Sequence, residues 1–147
     1  MNGIKMADCK FYVDEDARTV VCVIPNTKNL LIDFVYKHFN YKDITMWDGI
    51  TYAMSKRLNL PRSFSGKAIC APEDEWNEET GRLIAFSRAK DKCYKSFFKR
   101  ANYLIQSIDR RLGDMIETFN NFGMKLEDKR MELQRKIDES MGLNIEE

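Results

Sequence analysis

An α+β fold, with a small three-stranded antiparallel sheet packed on helices and a long C-terminal amphipathic helix, is predicted by three observations on this 147-residue chain. Two short runs rich in β-branched and aromatic residues, 9–13 and 19–24, flank a polar loop. A third segment, 64–71, reads as a strand closed by Pro72, which cannot extend a ladder. From Phe97 onward apolar residues recur at helical spacing without a single Pro.

The first two runs, joined by Asp14-Glu15-Asp16-Ala17-Arg18, read as a β-hairpin that ends at Pro25. A helical insertion at 27–60 follows. Thr27 is placed to cap a helix carrying Leu30, Leu31, Phe34, Val35 and His38, and Thr45 or Asp48 to open another through Trp47, Ile50, Met54 and Leu58. After the third strand come Glu73, Asp74, Glu75, Glu78 and Glu79. Asn77 is a natural N-cap there, with Glu78 and Glu79 in a first turn whose dipole favours anions. The sheet is expected to bury Phe11, Val13, Val21, Val23, Ile69 and Leu83 or Phe86.

The long helix carries Phe97, Ala101, Leu104, Ile108, Leu112, Met115, Phe119, Phe122 and Leu126, close to a coiled-coil-like heptad seam. Gly123 costs about 1 kcal/mol against Ala in a helix, so a hinge or stop is open there; Gly142 reads as the C-terminal stop. The domain division expected is an α+β head at 7–91 and a helical extension at 92–142, continuous with the head helix. Met6-Ala7-Asp8 reads as an alternative native start.

Composition excludes several classes. With 44% hydrophobic and 32% charged residues the chain folds rather than staying disordered. A net charge of +1 gives no global pull toward nucleic acid or acidic membrane. No apolar run approaches the ~20 residues that cross a bilayer. Cys9, Cys22, Cys70 and Cys93 form no CxxC, and His38 stands far from them, so neither a metal nor a cofactor is expected. No export signal is visible, which points to reduced thiols in a cytoplasm. No phosphate-binding glycine loop and no catalytic constellation appears, so an enzyme is not expected.

The clearest functional signal is segregated charge. From Arg82 to Arg111 nine bases meet two acids, a local charge of +7, whereas from Leu112 on nine acids meet five bases, −4. Arg88, Lys92, Lys95, Lys99 and Arg100 form a candidate basic stripe, with Tyr94 and Tyr103 interleaved. Glu73, Asp74, Glu75 and Trp76 form a candidate acidic contact corner. The basic stripe suits a phosphate backbone or an acidic protein patch, and also a solvated face pairing with the chain's own acidic tail.

The segment 66–90, from Gly66-Lys67-Ala68-Ile69-Cys70-Ala71-Pro72-Glu73-Asp74-Glu75-Trp76 through Glu78-Glu79-Thr80-Gly81 to Ala89-Lys90, resembles a stretch of small uncharacterised proteins of Firmicutes phages and prophages. More loosely, the chain is similar to a bacterial domain family of unknown function with a double-stranded-RNA-binding-like arrangement. That resemblance implies a mobile-element origin and a three-stranded sheet on the helix from Asn77. The chain departs from the RNA-binding pattern: it lacks a helix before the hairpin, inserts about 40 residues between the second and third strands, and starts its last helix with acids. The expectation is a non-catalytic phage accessory protein acting on a host protein, such as a nucleic-acid-processing defence complex inhibited in an anti-CRISPR-like way. A homodimer through the C-terminal helix is a further partner expectation, a nucleic acid on the basic stripe the alternative, and a membrane is not expected.

Overall fold

The computed structural model describes residues 3–38 and 57–142. A short 3-10 turn (Met6–Asp8) leads into β1 (Lys10–Asp14), β2 (Thr19–Ile24), α1 (Leu30–His38), β3 (Phe64–Ile69) and α2 (Glu78–Ser140). The fold is α+β, with an antiparallel sheet in the order β1-β2-β3 and a long C-terminal helix. The chain divides into a head, Met1–Leu104, and a tail, Ile105–Glu147. The head thus runs further along α2 than residue 91, because Phe97, Ala101 and Leu104 belong to or pack against its core.

The hairpin closes through local chemistry. The Asp14 carboxylate accepts a bond from the Ala17 amide at 2.8 Å, and the Arg18 amide donates to the Glu15 carbonyl at 3.0 Å. Arg18 sits at φ +50°, the left-handed geometry that turns the chain back into β2.

Alternation along β2 decides the buried face. Val20, Cys22 and Ile24 are 0, 0 and 3% exposed. Opposite them stand Phe11 on β1, and Gly66 and Ala68 on β3. This corrects the expected core. Val21 and Val23 occupy the other face and are only half-buried, Ile69 is 65% exposed, and Val13 and Leu83 are also exposed. Phe11 and Phe86 do pack against the core, each partly buried. The strand is apolar on both faces, so its pattern cannot choose between them. Small residues make the choice. Ala85, Ala89, Cys93 and Phe97, four apart on one side of α2, are buried, the first two beneath β3. The helix approaches so closely that a Cβ on Gly66 would lie 2.1 Å from the Ala85 carbonyl oxygen and 2.4 Å from the Ala89 nitrogen. A Cβ on Gly81 would meet Val20 at 2.8 Å. Only the face carrying Gly66 and Ala68 admits a helix backbone at that distance.

The insertion is clasped at its base. The Thr27 amide donates to the Arg62 carbonyl at 3.1 Å, and the Leu60 amide to the Lys28 carbonyl at 3.0 Å. Thr27 is 1% exposed, and its hydroxyl donates to the Pro61 carbonyl at 2.5 Å. Thr27 therefore holds the clasp instead of capping α1. The first helical bond runs from the Asp33 amide to the Asn29 carbonyl at 2.8 Å. Leu31, Leu58 and Leu60 are buried, and Phe34 meets Phe97 edge-on with centroids 5.7 Å apart. The second insertion helix, expected around Trp47, Ile50 and Met54, lies outside the described residues.

Burial also sets the thiols. It raises the Cys93 thiol and pushes Cys22 up to about 12, with neighbouring Cys9 adding to the effect. Cys9 is raised as well, chiefly by burial. A folded-state value above the unfolded one favours the protonated folded form, so this stability is complete below about 9 and is lost as pH rises toward 12. Urea midpoints should therefore fall from about pH 8 to about pH 10.5. A Cys22→Val variant should show a shallower fall, and equal slopes for the two proteins would refute the assignment.

In the tail, α2 continues to Ser140 without interruption, so Gly123 does not stop it. Gly142, at φ +69°, terminates it, its amide donating to the Glu139 carbonyl at 3.2 Å. Exposed pairs run along its surface, Arg130 to Glu127 at 2.6 Å, Arg135 to Glu139 at 2.7 Å and Lys136 to Glu132 at 2.8 Å. Exposed to solvent and screened by it, they support the helix only weakly. The apolar stripe is bare: Leu112, Met115, Phe119, Phe122, Leu126 and Leu133 are 48–70% exposed.

Candidate functional site

Segment 66–90 is accounted for by packing. Gly66, Ala68, Gly81, Ala85 and Ala89 make the close approach of α2 to the sheet. Asn77 caps α2, its side-chain oxygen accepting the Thr80 amide at 2.9 Å. Arg82 pairs with Glu78 at 2.7 Å and lies 5.0 Å over the Phe11 ring.

Arg18, which no motif or spacing singles out, organises the loop before α2. Its guanidinium donates to the Pro72 carbonyl at 3.0 Å, to the Asp74 carbonyl, and to Cys70 Sγ at 3.2 Å. The loop backbone is thereby drawn around a cation. The Glu73, Asp74 and Glu75 side chains are exposed, with no ion pair among the described residues. Trp76 is half-buried against the core and lines a concavity of about 550 Å³ with Ile69, Cys70, Asn77 and Ile84. Among the described residues the partners of the Cys70 thiol are the Arg18 guanidinium and loop carbonyls.

The basic stripe divides. Arg88, Lys92, Lys95 and Lys99 share one flank of α2 by helical spacing, whereas Arg100 turns to the half-buried side and donates to the Arg57 carbonyl. On the flank, Arg88 donates to the Lys67 carbonyl at 2.7 Å and Lys92 to the Ser65 carbonyl at 2.9 Å. Both acceptors belong to β3, an edge strand of the sheet. Ser65 and Lys67 alternate with the residues bonded to β2, so these two bases cover outward-facing carbonyls and blunt the edge. Lys95 pairs with Asp91 at 2.8 Å. Replacing Arg88 and Lys92 together by Ala should lower head stability by about 1 kcal/mol and accelerate amide exchange around β3. An unchanged urea midpoint would instead free both bases for a role in binding.

The two tyrosines are also engaged. Tyr103 accepts a bond from Arg57 at 2.5 Å, and Tyr94 is half-buried with the Lys90 ammonium 5.6 Å from its ring centroid. His38 is exposed and packs its ring on Phe34 at 4.4 Å. Among the described residues, no three His, Cys, Asp or Glu side chains are grouped to hold a metal ion, and no helix is long and apolar enough to cross a membrane. No family model matches this chain, and no curated protein or solved structure matches it either.

Proposed function

We propose that this chain is a non-catalytic binding protein whose tail helix is a docking element for another polypeptide. One observation carries the reading. The tail holds a bare apolar stripe along residues 105–137 of a continuous helix, with Phe119 70% and Phe122 57% exposed. A helix in water is supported chiefly by packing one face, and a contiguous apolar face of this length marks an interaction site. The resemblance to Firmicutes phage proteins directs the search to a bacterial cytoplasm and to host proteins, with a nucleic-acid-processing defence complex first among them. A nucleic acid on the basic flank is the second reading. It is held second because Arg88, Lys92 and Arg100 already serve backbone carbonyls within the head.

Affinity capture from a host lysate tests the proposal. A specific protein is expected with the native chain, and its recovery is expected to drop at least tenfold when Phe119 and Phe122 are both replaced by Ser. Equal recovery by the variant would refute the tail as the docking element. The second reading requires nucleic-acid affinity that falls steeply with salt, and Lys95→Glu with Lys99→Glu should then abolish it.

A further inference from the structure

We infer that the polypeptide covering the tail is a second copy of the same tail, running antiparallel, an inference that rests on the docking reading above. With Ile105 assigned to the first seam position of a heptad, the same position recurs at Leu112, Phe119, Leu126 and Leu133, five apolar residues spaced by seven. The other seam position holds Ile108, Met115 and Phe122, then Lys129 and Lys136. Those two lysines choose the orientation. In a parallel pair each would face its own copy across the seam, like charge against like charge, and Lys125 would flank the partner's Arg130.

An antiparallel pair centred between Asn120 and Asn121 removes these conflicts. Phe119 then packs on the partner's Phe122, Met115 on the partner's Leu126, and Ile108 on the partner's Leu133. Leu112 faces the partner's Lys129, whose aliphatic stem lies along the seam while its ammonium reaches water. The flanking charges become complementary: Asp109 meets the partner's Arg130, and Arg111 meets the partner's Glu132. Gly123 also gains a reason. Among the described residues nothing lies within 4 Å of a Cβ built on it, so no packing there explains a glycine in mid-helix. In the antiparallel pair it lies beside the partner's Ile116, which is 53% exposed in the single chain, and leaves room for that branched side chain. The strip is adequate in size. Residues 105–140 extend about 54 Å at 1.5 Å per residue, and two fifths of the helix circumference over that length is roughly 800 Å² per copy, that of a standard interface. Self-pairing presents two copies of the head surface, including Glu73, Asp74 and Glu75, to a host protein, so breaking the tail pair lowers recovery of that protein through lost bivalence.

Light scattering of the full chain, followed by disulfide trapping, tests this. The expected mass is twice 17.3 kDa, shifting at least tenfold toward monomer when Phe119 and Phe122 become Ser. Leu112→Cys and Lys129→Cys, made as separate proteins, are expected to trap a 112–129 disulfide, identified by peptide mass spectrometry, only when mixed. Leu112→Cys trapping with itself would overturn the antiparallel pair, as would a monomer up to high micromolar concentration or an assembly larger than a dimer. The two readings fail separately. A monomer whose lysate partner is lost with the Phe variants ends the self-pairing and leaves the docking reading. A dimer whose lysate partner ignores those variants does the reverse.

Discussion

Gly66→Ala should lower the stability of the head by about 3 kcal/mol or more, enough to unfold a large fraction of a marginally stable domain. The added Cβ would lie 2.1 and 2.4 Å from backbone atoms of Ala85 and Ala89. Backbone cannot swing aside as the end of a side chain can, so α2 must lift from β3. Lifting it separates Val20, Cys22 and Ala68 from Ala85, Ala89 and Cys93, all at most 5% exposed. The cost therefore includes lost burial as well as overpacking. Urea unfolding followed by circular dichroism measures it. Gly113→Ala, at a helical glycine with nothing within 4 Å, should instead stabilise the helix by up to about 1 kcal/mol. If both variants behave alike, the close approach of α2 to β3 is wrong.

Phe97→Ala should cost the head about 3 kcal/mol, whereas Phe119→Ala should leave its unfolding midpoint in place. Both residues belong to one apolar periodicity in the sequence. Phe97 is 7% exposed and meets Phe34 and Phe98 edge-on with centroids 5.7 Å apart, so its removal leaves a cavity where α1 meets α2. Phe119 is 70% exposed, and its removal opens nothing within the chain. Its loss should appear as weakened association. Thermal melts at two protein concentrations separate the effects, since only association makes a midpoint depend on concentration. A Phe119→Ala chain that loses head stability at the lowest concentration would contradict the division of the chain at Leu104.

Much of the local structure was legible because local chemistry writes it. The hairpin followed from two β-branched runs around a polar loop, the start of α2 from Asn77 and its acids, and the end of α2 from Gly142. The buried face of the sheet was not legible. Residues 19–24 are apolar on both sides, and the deciding feature was the smallness of Gly66 and Ala68 on a different strand. The bulky residues Val21, Val23 and Ile69 drew the core to the wrong face, though a helix backbone needs the absence of side chains beneath it. Thr27 misled for a similar reason: a threonine before a helix reads as a cap, but its hydroxyl found the Pro61 carbonyl, 34 residues away in the chain.

The candidate basic stripe shows the same limit. Spacing placed Arg88, Lys92, Lys95 and Lys99 on one flank, and the helix keeps them there. That Arg88 and Lys92 reach the carbonyls of an edge strand depends on which strand lies beside them, a fact absent from the helix's own sequence. The amino-acid sequence alone determined the α+β class, the order of β1, β2, α1, β3 and α2, and the long amphipathic helix, because periodicity, capping and turn residues act over a few positions. Tertiary structure alone decided which sheet face is buried, which cations are structural and where the apolar stripe passes from core to bare surface. Those outcomes depend on distances between segments remote in the chain, and a one-dimensional pattern contains no such distances.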